Sequence, residues 1–227
     1  MQSPASVVAA HGPVLVLDAA TLHVHAGILR AGAPAVWHRG GADSSVELFV
    51  ATESCLATTG LRIGEIGAFV YCDGPGSQLG IRTACMALRT WQTLRANPAP
   101  VFAYRSLLVA ALAHRSSAAA PFAVIADARR ECWHAVRVAA DGATSDVIRV
   151  PLDEVRAWPE PLLQPVGFRA WSPPPRPAGE CPYDCAAFFA TLADVPLLAA
   201  TAEPEPWASA PNTYKTWTGE RHRGTAG

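Results

Sequence analysis

An apolar strand that stops at an Asp-Ala pair and resumes, after a turn, as a second strand occurs twice in this chain. Residues 14–17 run into Asp18-Ala19 and a strand over 22–29; residues 122–126 run into Asp127-Ala128 and a strand over 131–138. Two short matches of this kind read as a weak internal duplication, which fits a fold of two lobes that open alike. The 227 residues suffice for two small packed lobes with substantial cores.

Between the repeats the punctuation is specific. Leu22, Val24, Ala26 and Ile28 alternate onto one face, and Arg30, Gly32 and Pro34 supply turn chemistry before a third strand at 35–38. Ser44 and Glu47 have capping-box spacing and Gly60 is placed as a C-cap, which predicts a helix over 45–58. A buried strand at 68–72, a tight turn at 73–76 and Ser77 as N-cap predict a second helix to about residue 95. Its small residues Gly80, Ala84 and Ala87 permit close approach of another element. A strand at 101–104 and a helix at 106–114 complete the lobe before a Ser/Ala stretch at 116–120. The second lobe adds a strand at 147–150, a short helix at 152–158, a strand at 163–168, a proline-rich connector at 172–177 and a helix at 183–192. The expected organisation is thus a flexible arm (1–12), a first lobe (13–115), a second, degenerate lobe (121–200) and an extended tail (201–227).

Only 16% of the residues are charged, against roughly 25% in a typical soluble domain, so part of the surface is expected to serve contact. The net charge of -1 provides no reason for this chain alone to grip a nucleic-acid backbone, and any RNA role is expected to be indirect. Six cysteines scattered in apolar segments, with no basic-then-apolar leader, read as a reduced, cytoplasmic protein. The longest weakly polar stretch is broken by Asp194 and Pro196 and falls short of the ~20 residues of a membrane helix.

In order, the strand with Asp18-Ala-Ala-Thr21, the segment Gly74-Pro-Gly-Ser-Gln-Leu-Gly-Ile-Arg82 and Asp127-Ala-Arg-Arg130 resemble the TsaB family, whose corresponding segments read DTST or DTAT, GPGSFTGLRIG and DARxGE. Pro165 to Trp171 and the tail from Ala202 to Pro206, with Tyr214-Lys215, extend the similarity to residues 14–217. The departures are Gln78-Leu79 for Phe-Thr, Glu131 for a glycine, Ser44 for a frequent histidine, Trp207-Ala-Ser for Tyr-Leu-Arg, and a shortened segment at 172–182. The resemblance implies an α/β, duplicated actin-like ATPase (ribonuclease H-like) fold with mixed sheets and flanking helices. It also implies a non-catalytic subunit that supports a TsaD-type catalytic subunit, with a TsaE-type ATPase, in threonylcarbamoyladenosine modification of tRNA. On that reading the isolated chain needs no cofactor, and ATP or ADP would belong to an interface of the complex. The helices over 45–58 and 78–95 would pair with TsaD or with a second copy, through Phe49, Glu53, Leu56, Arg82, Met86 and Arg89.

Two further functions stay open at this level: an active actin-fold ATPase or phosphotransferase, and a homodimeric structural remnant. The former would use a vestigial anion or nucleotide site made of Asp18, Thr21, Gly74, Pro75, Gly76, Ser77 and Asp127. Backbone donors at the start of a helix can hold a phosphate, and strand-end carboxylates can position metal-bound phosphates. The same residues are equally explained by a strand-to-helix turn capped by Ser77 and by Asx turns at both aspartates. His23 and His25 lack the HxxxH helix pair of a metal site, Cys181 and Cys185 lack a second pair, and Ser77 lies in no GxSxG elbow. No catalytic or metal residue is expected.

Overall fold

The computed structural model describes residues 1–41, 43–115 and 119–209. The Ser/Ala stretch at 116–118 and the tail from 210, including Tyr214 and Lys215, lie outside the described residues.

The repeat read from the sequence becomes a repeat of topology. Strands β1 (Val14–Asp18), β2 (His25–Arg30) and β3 (Ala33–Arg39) form an antiparallel meander, after which β4 (Ala68–Gly74) and β5 (Val101–Arg105) add in parallel on the other side of β1. The second half repeats this: β6 (Phe122–Asp127), β7 (Cys132–Val138) and β8 (Ile148–Pro151) meander, and β9 (Leu162–Pro165) and β10 (Ala178–Cys181) add in parallel beside β6. The shared order 3-2-1-4-5 places Asp18 and Asp127 at matching strand ends. A short strand β11 (Ala199–Thr201) returns to the first sheet and pairs antiparallel with β5.

The helices distinguish the halves. In the first, α2 (Ser44–Thr59) connects β3 to β4, α3 (Gln78–Thr93) connects β4 to β5, and α4 (Ser106–His114) follows β5. In the second, α5 (Leu152–Arg156) and α6 (Cys185–Thr191) match α2 and α4, but loop and turn occupy the place of α3, because the proline run at 173–177 removes donors and fixes φ where a helix would form. Helix α4 packs on β4 and β5 and also on β6 and β7, so one continuous core joins the sheets. Strand β6 alternates accordingly: Phe122, Val124 and Ala126 face that shared core, while Ala123 and Ile125 enter a smaller cluster with Trp133, Val155 and Trp158. No helix among the described residues is long and apolar enough to cross a membrane.

Several expectations need correction. The supposed flexible arm is helix α1 (Pro4–His11): Ser3 and Ser6 form a capping box, Pro4 occupies the first turn, Val7 is wholly buried, and Gln2 pairs with Leu198. The N-cap of α2 is Asp43, whose carboxylate accepts from the Ser45 amide at 3.0 Å, while Glu47 reaches back to the Gly41 amide at 2.8 Å. The strand expected at 163–168 stops at Pro165, and β10 and β11 were not anticipated, being too short to carry a periodic signal. The tail, expected to be extended, is held against the first half at residues 204–207, with the Arg89 guanidinium donating to the Pro204 carbonyl at 3.0 Å.

The small residues of α3 accommodate backbone. A Cβ at Gly80 would lie 2.2 Å from the Ala19 carbonyl oxygen. Alanine ordinarily stabilises a helix relative to glycine by about 1 kcal/mol. Gly80→Ala is nevertheless expected to destabilise the fold by about 1–3 kcal/mol through overpacking, read as a lower urea midpoint.

Candidate interlobe cleft and helical face

The carboxyl ends of β1, β4 and β6 meet, as expected where ligands sit in open α/β sheets. A cleft of about 470 Å³ opens there, lined by Thr21, Gly76, Ser77, Arg82, Asp127 and Trp171 among others. Most of the proposed anion-site residues therefore converge, but Asp18 is 0% exposed and does not line the cleft.

Asp18 is occupied elsewhere. Its Oδ1 accepts from the Ala20 amide at 2.9 Å, closing an Asx turn, and its Oδ2 accepts the Tyr104 hydroxyl at 2.6 Å and the Tyr183 hydroxyl at 2.7 Å. Burial beside this carboxylate raises both phenols well above their ordinary pKa, which keeps them protonated as donors. Asp127 is similarly engaged: Oδ1 accepts from the Arg129 amide at 2.6 Å, and Oδ2 from the Trp171 and Ser172 amides at 2.9 and 2.8 Å. The reading of Asp18 as a residue facing a bound anion is corrected; it is a buried cross-link between β1, β5 and the segment preceding α6.

The turn at 74–77 is also spoken for in part. The Ser77 amide donates to the Ala20 carbonyl at 2.7 Å, and the Ser77 hydroxyl caps α3 by accepting from Gly80 at 3.4 Å. A Cβ at Gly76 would lie 2.3 Å from that same Ala20 oxygen, so glycine is required by close approach. Thr21 turns its hydroxyl to the His23 carbonyl at 2.8 Å. The Pro75 carbonyl accepts the buried Ser106 hydroxyl, which pins the turn to the start of α4. His25 is buried, and desolvation lowers its pKa; among the described residues no three His, Cys, Asp or Glu side chains gather as a metal cradle. All six cysteines are free thiols, and burial pushes those of Cys55 and Cys181 up to about 11 and about 12.

The sequence reading missed the cluster that holds the tail. The Tyr71 hydroxyl donates to the Glu205 carbonyl and accepts from the Glu205 amide, both at 3.0 Å, and the Trp207 amide donates to the Asp73 carbonyl at 2.8 Å. Arg105 pairs with Asp73 and lies 5.1 Å over the Trp207 ring. Among the described residues, Asp73 Oδ1 has no hydrogen-bond partner. Burial pushes the Asp73 carboxyl up to about 6, outweighing the downward pull of Arg105. A tyrosine inside an apolar strand and an aspartate before a turn carry no signal of such pairing.

On the outer surface α2 and α3 pack side by side and leave a shallow apolar groove of about 390 Å³ lined by Phe49, Leu79, Met86 and Trp91. Leu79 is 67%, Met86 57% and Phe49 41% exposed, with Val46 and Val50 exposed beside them. Phe49 is held edge-on to Trp91 at 6.3 Å, and Trp91 stacks on Phe69 at 6.0 Å, so the groove floor is anchored in the core. Glu53 and Arg82 are exposed and Leu56 is half-buried. Arg89 is also exposed, but it pairs with Glu205 at 3.1 Å.

A family model described as TsaD, tRNA N6-adenosine threonylcarbamoyltransferase, matches residues 41–161. The structure is similar to YeaZ from Pseudomonas aeruginosa, with a TM-score of 0.59 and 22% identity over 80% of this chain and 90% of that one. It is equally similar to an uncharacterized protein with similarity to peptidase YEAZ from Pseudomonas aeruginosa, with a TM-score of 0.58 and 21% identity over 80% and 90% of the respective chains. No curated protein matches the sequence. The fold is the α/β, duplicated actin-like ATPase fold.

Two outcomes follow from the buried carboxyls. Asp18→Ala leaves two phenolic hydroxyls and one amide without an acceptor, and is expected to cost at least about 3 kcal/mol in urea unfolding. Asp73 binds its proton more tightly in the fold than in the unfolded chain, where its pKa is near 3.8. Its contribution to stability is therefore present below about 4 and lost as pH rises through about 6. The stability difference between wild type and Asp73→Asn should change by up to about 3 kcal/mol across that window, and a flat difference would contradict the assignment.

Proposed function

Because this chain belongs to the family of TsaD, tRNA N6-adenosine threonylcarbamoyltransferase, we propose that it acts in threonylcarbamoyladenosine modification of tRNA as a TsaB-like subunit, supporting a TsaD-type catalytic partner by binding rather than by chemistry. The observation that carries the reading is the anchored apolar face of α2 and α3. Contiguous apolar surface rimmed by charge marks a protein contact, and here Glu53 and Arg82 supply the rim. A standard interface buries ~1,600 Å² in total, which calls for both helices. Phe49 and Met86 are its anchors; Glu53, Leu56, Arg82 and Arg89 surround them, with Arg89 reaching the partner only where it is not engaged by Glu205.

The non-catalytic part of the proposal draws on Asp18. In an active ATPase or phosphotransferase reading, this carboxylate would face the transferred phosphate or its metal. Here it is sealed beneath the cleft and holds two tyrosines. Within the proposal the TsaE-type ATPase joins through the complex, tRNA is contacted only indirectly, ATP or ADP belongs to a joint interface, and a second copy of this chain competes for the same helical face.

Copurification of the chain with the TsaD-type subunit from its own genome is the direct test. A Phe49→Asp/Met86→Asp variant should fold as wild type, since both side chains are exposed. It should lose at least about 100-fold in affinity, the scale expected when two interface anchors are removed. Unimpaired association of that variant, or unchanged threonylcarbamoyladenosine in tRNA nucleosides after depletion of the gene, would remove the proposal. Self-association much tighter than binding to the TsaD-type subunit would favour the homodimeric remnant.

A further inference from the structure

Helix α3 has the apolar groove on one flank and the bound tail on the other. Arg82, Met86 and Arg89, spaced i, i+4 and i+7, form the ridge between them: Arg82 and Met86 line the groove, and Arg82 also lines the cavity walled by Glu205, Pro206 and Trp207. The tail holds the last residue of that ridge by the edge a carboxylate would use. Arg89 Nε donates to the Pro204 carbonyl at 3.0 Å and Nη2 to the Glu205 carboxylate at 3.1 Å, the pair of donors that a partner's carboxylate would take bidentately. From there the segment crosses β4, where the Tyr71 hydroxyl exchanges two hydrogen bonds with the Glu205 backbone, both at 3.0 Å, and the Trp207 amide donates to the Asp73 carbonyl at 2.8 Å. It ends with the Trp207 ring between the Arg105 guanidinium of β5 at 5.1 Å and the His134 ring of β7 at 5.4 Å, so four residues tie α3 to the second half.

We propose that residues 204–207 are a releasable strap that competes with the docking partner for Arg89, so that strap closure and occupation of the α2–α3 face oppose each other. The inference rests on the docking role given above to that face. An acidic side chain of the partner that reaches Arg89 meets donors already engaged, and each new charge-assisted hydrogen bond has to replace one to the strap. The strap is built to give way. Its backbone belongs to no helix or strand, Pro204 is the one buried residue of the four, and the Glu205 side chain is already 65% exposed. Segments with few buried apolar contacts open at the low end of a protein's stability range. Tyr71 is the catch: among the described residues its hydroxyl bonds only the strap, and it does not line the groove. Coupling between two binding events is reciprocal, so whatever loosens the strap strengthens partner binding by the same factor. Release at Arg89 also frees Trp207 from His134, which carries an event on the docking face into the second half.

Amide exchange and partner affinity test this in the full chain. Tyr71→Phe should keep the wild-type circular dichroism, speed exchange of the Glu205 and Trp207 amides and shift the His134 ring resonances as the Trp207 ring leaves. It should also raise affinity for the TsaD-type subunit about three- to tenfold, the scale of one such hydrogen bond. Binding of that subunit to the wild-type chain should likewise speed exchange at Glu205 and Trp207. In an Arg89→Gln background, adding Tyr71→Phe should not change the affinity further, because the shared group is gone. Equal affinity of wild type and Tyr71→Phe, a gain that persists without Arg89, or slower exchange at Glu205 and Trp207 in the complex would overturn the strap and leave the docking role standing. No association of the TsaD-type subunit with either wild type or Tyr71→Phe would remove the docking role, and this inference with it.

Discussion

One buried carboxylate carries much of this architecture. Asp18 ends the central strand of the first sheet, and its two oxygens receive an amide from its own turn and hydroxyls from Tyr104 and Tyr183. Those tyrosines come from β5 and from the approach to α6, 86 and 165 residues from Asp18 along the chain. A charge-capable group sealed from water is tolerable only when its acceptor capacity is used, and three short hydrogen bonds use it. Because Tyr183 also packs against Phe168 at 5.2 Å and Phe188 at 5.0 Å, the constraint spreads into the second half. At the end of β1 this carboxylate acts as a structural joint between the first sheet and the segment preceding α6.

The duplication makes the consequences of divergence visible. Both halves keep the 3-2-1-4-5 strand order, yet only the first has a helix between its fourth and fifth strands. That helix, α3, packs beside α2 and leaves an apolar seam in water. In the second half a proline-bearing loop lies in its place, and the Trp171 and Ser172 amides there close on Asp127. One half thus retains a surface suited to contact while the other folds inward.

Legibility in the sequence tracked the range of the interaction responsible. The β1–β2–β3 meander, α3 with its Ser77 cap, Gly60 as the left-handed C-cap and α4 all rest on contacts within a few residues, and all stand close to where the pattern puts them. Phe49 and Met86 entered only through the family resemblance, and it is the packing of α2 beside α3 that leaves both exposed. Helix α1 was misread because its stability comes from Val7 in the core and from pairing with residues near 193–198, which no local periodicity announces. The strands β10 and β11 depend on register against distant partners and are too short to declare themselves.

By itself, then, the sequence determined the repeated strand-Asp-Ala-strand unit, the helices that caps and turns delimit, and the family motif order, since each is written in neighbouring residues. Only the tertiary structure decided what the polar groups do. Asp18 meets two phenols rather than a ligand, Arg89 and Tyr71 tie down the tail, and Trp207 comes to rest between Arg105 and His134. Such groupings arise from sheet pairing and chain return across many residues, so proximity along the chain contains no record of them.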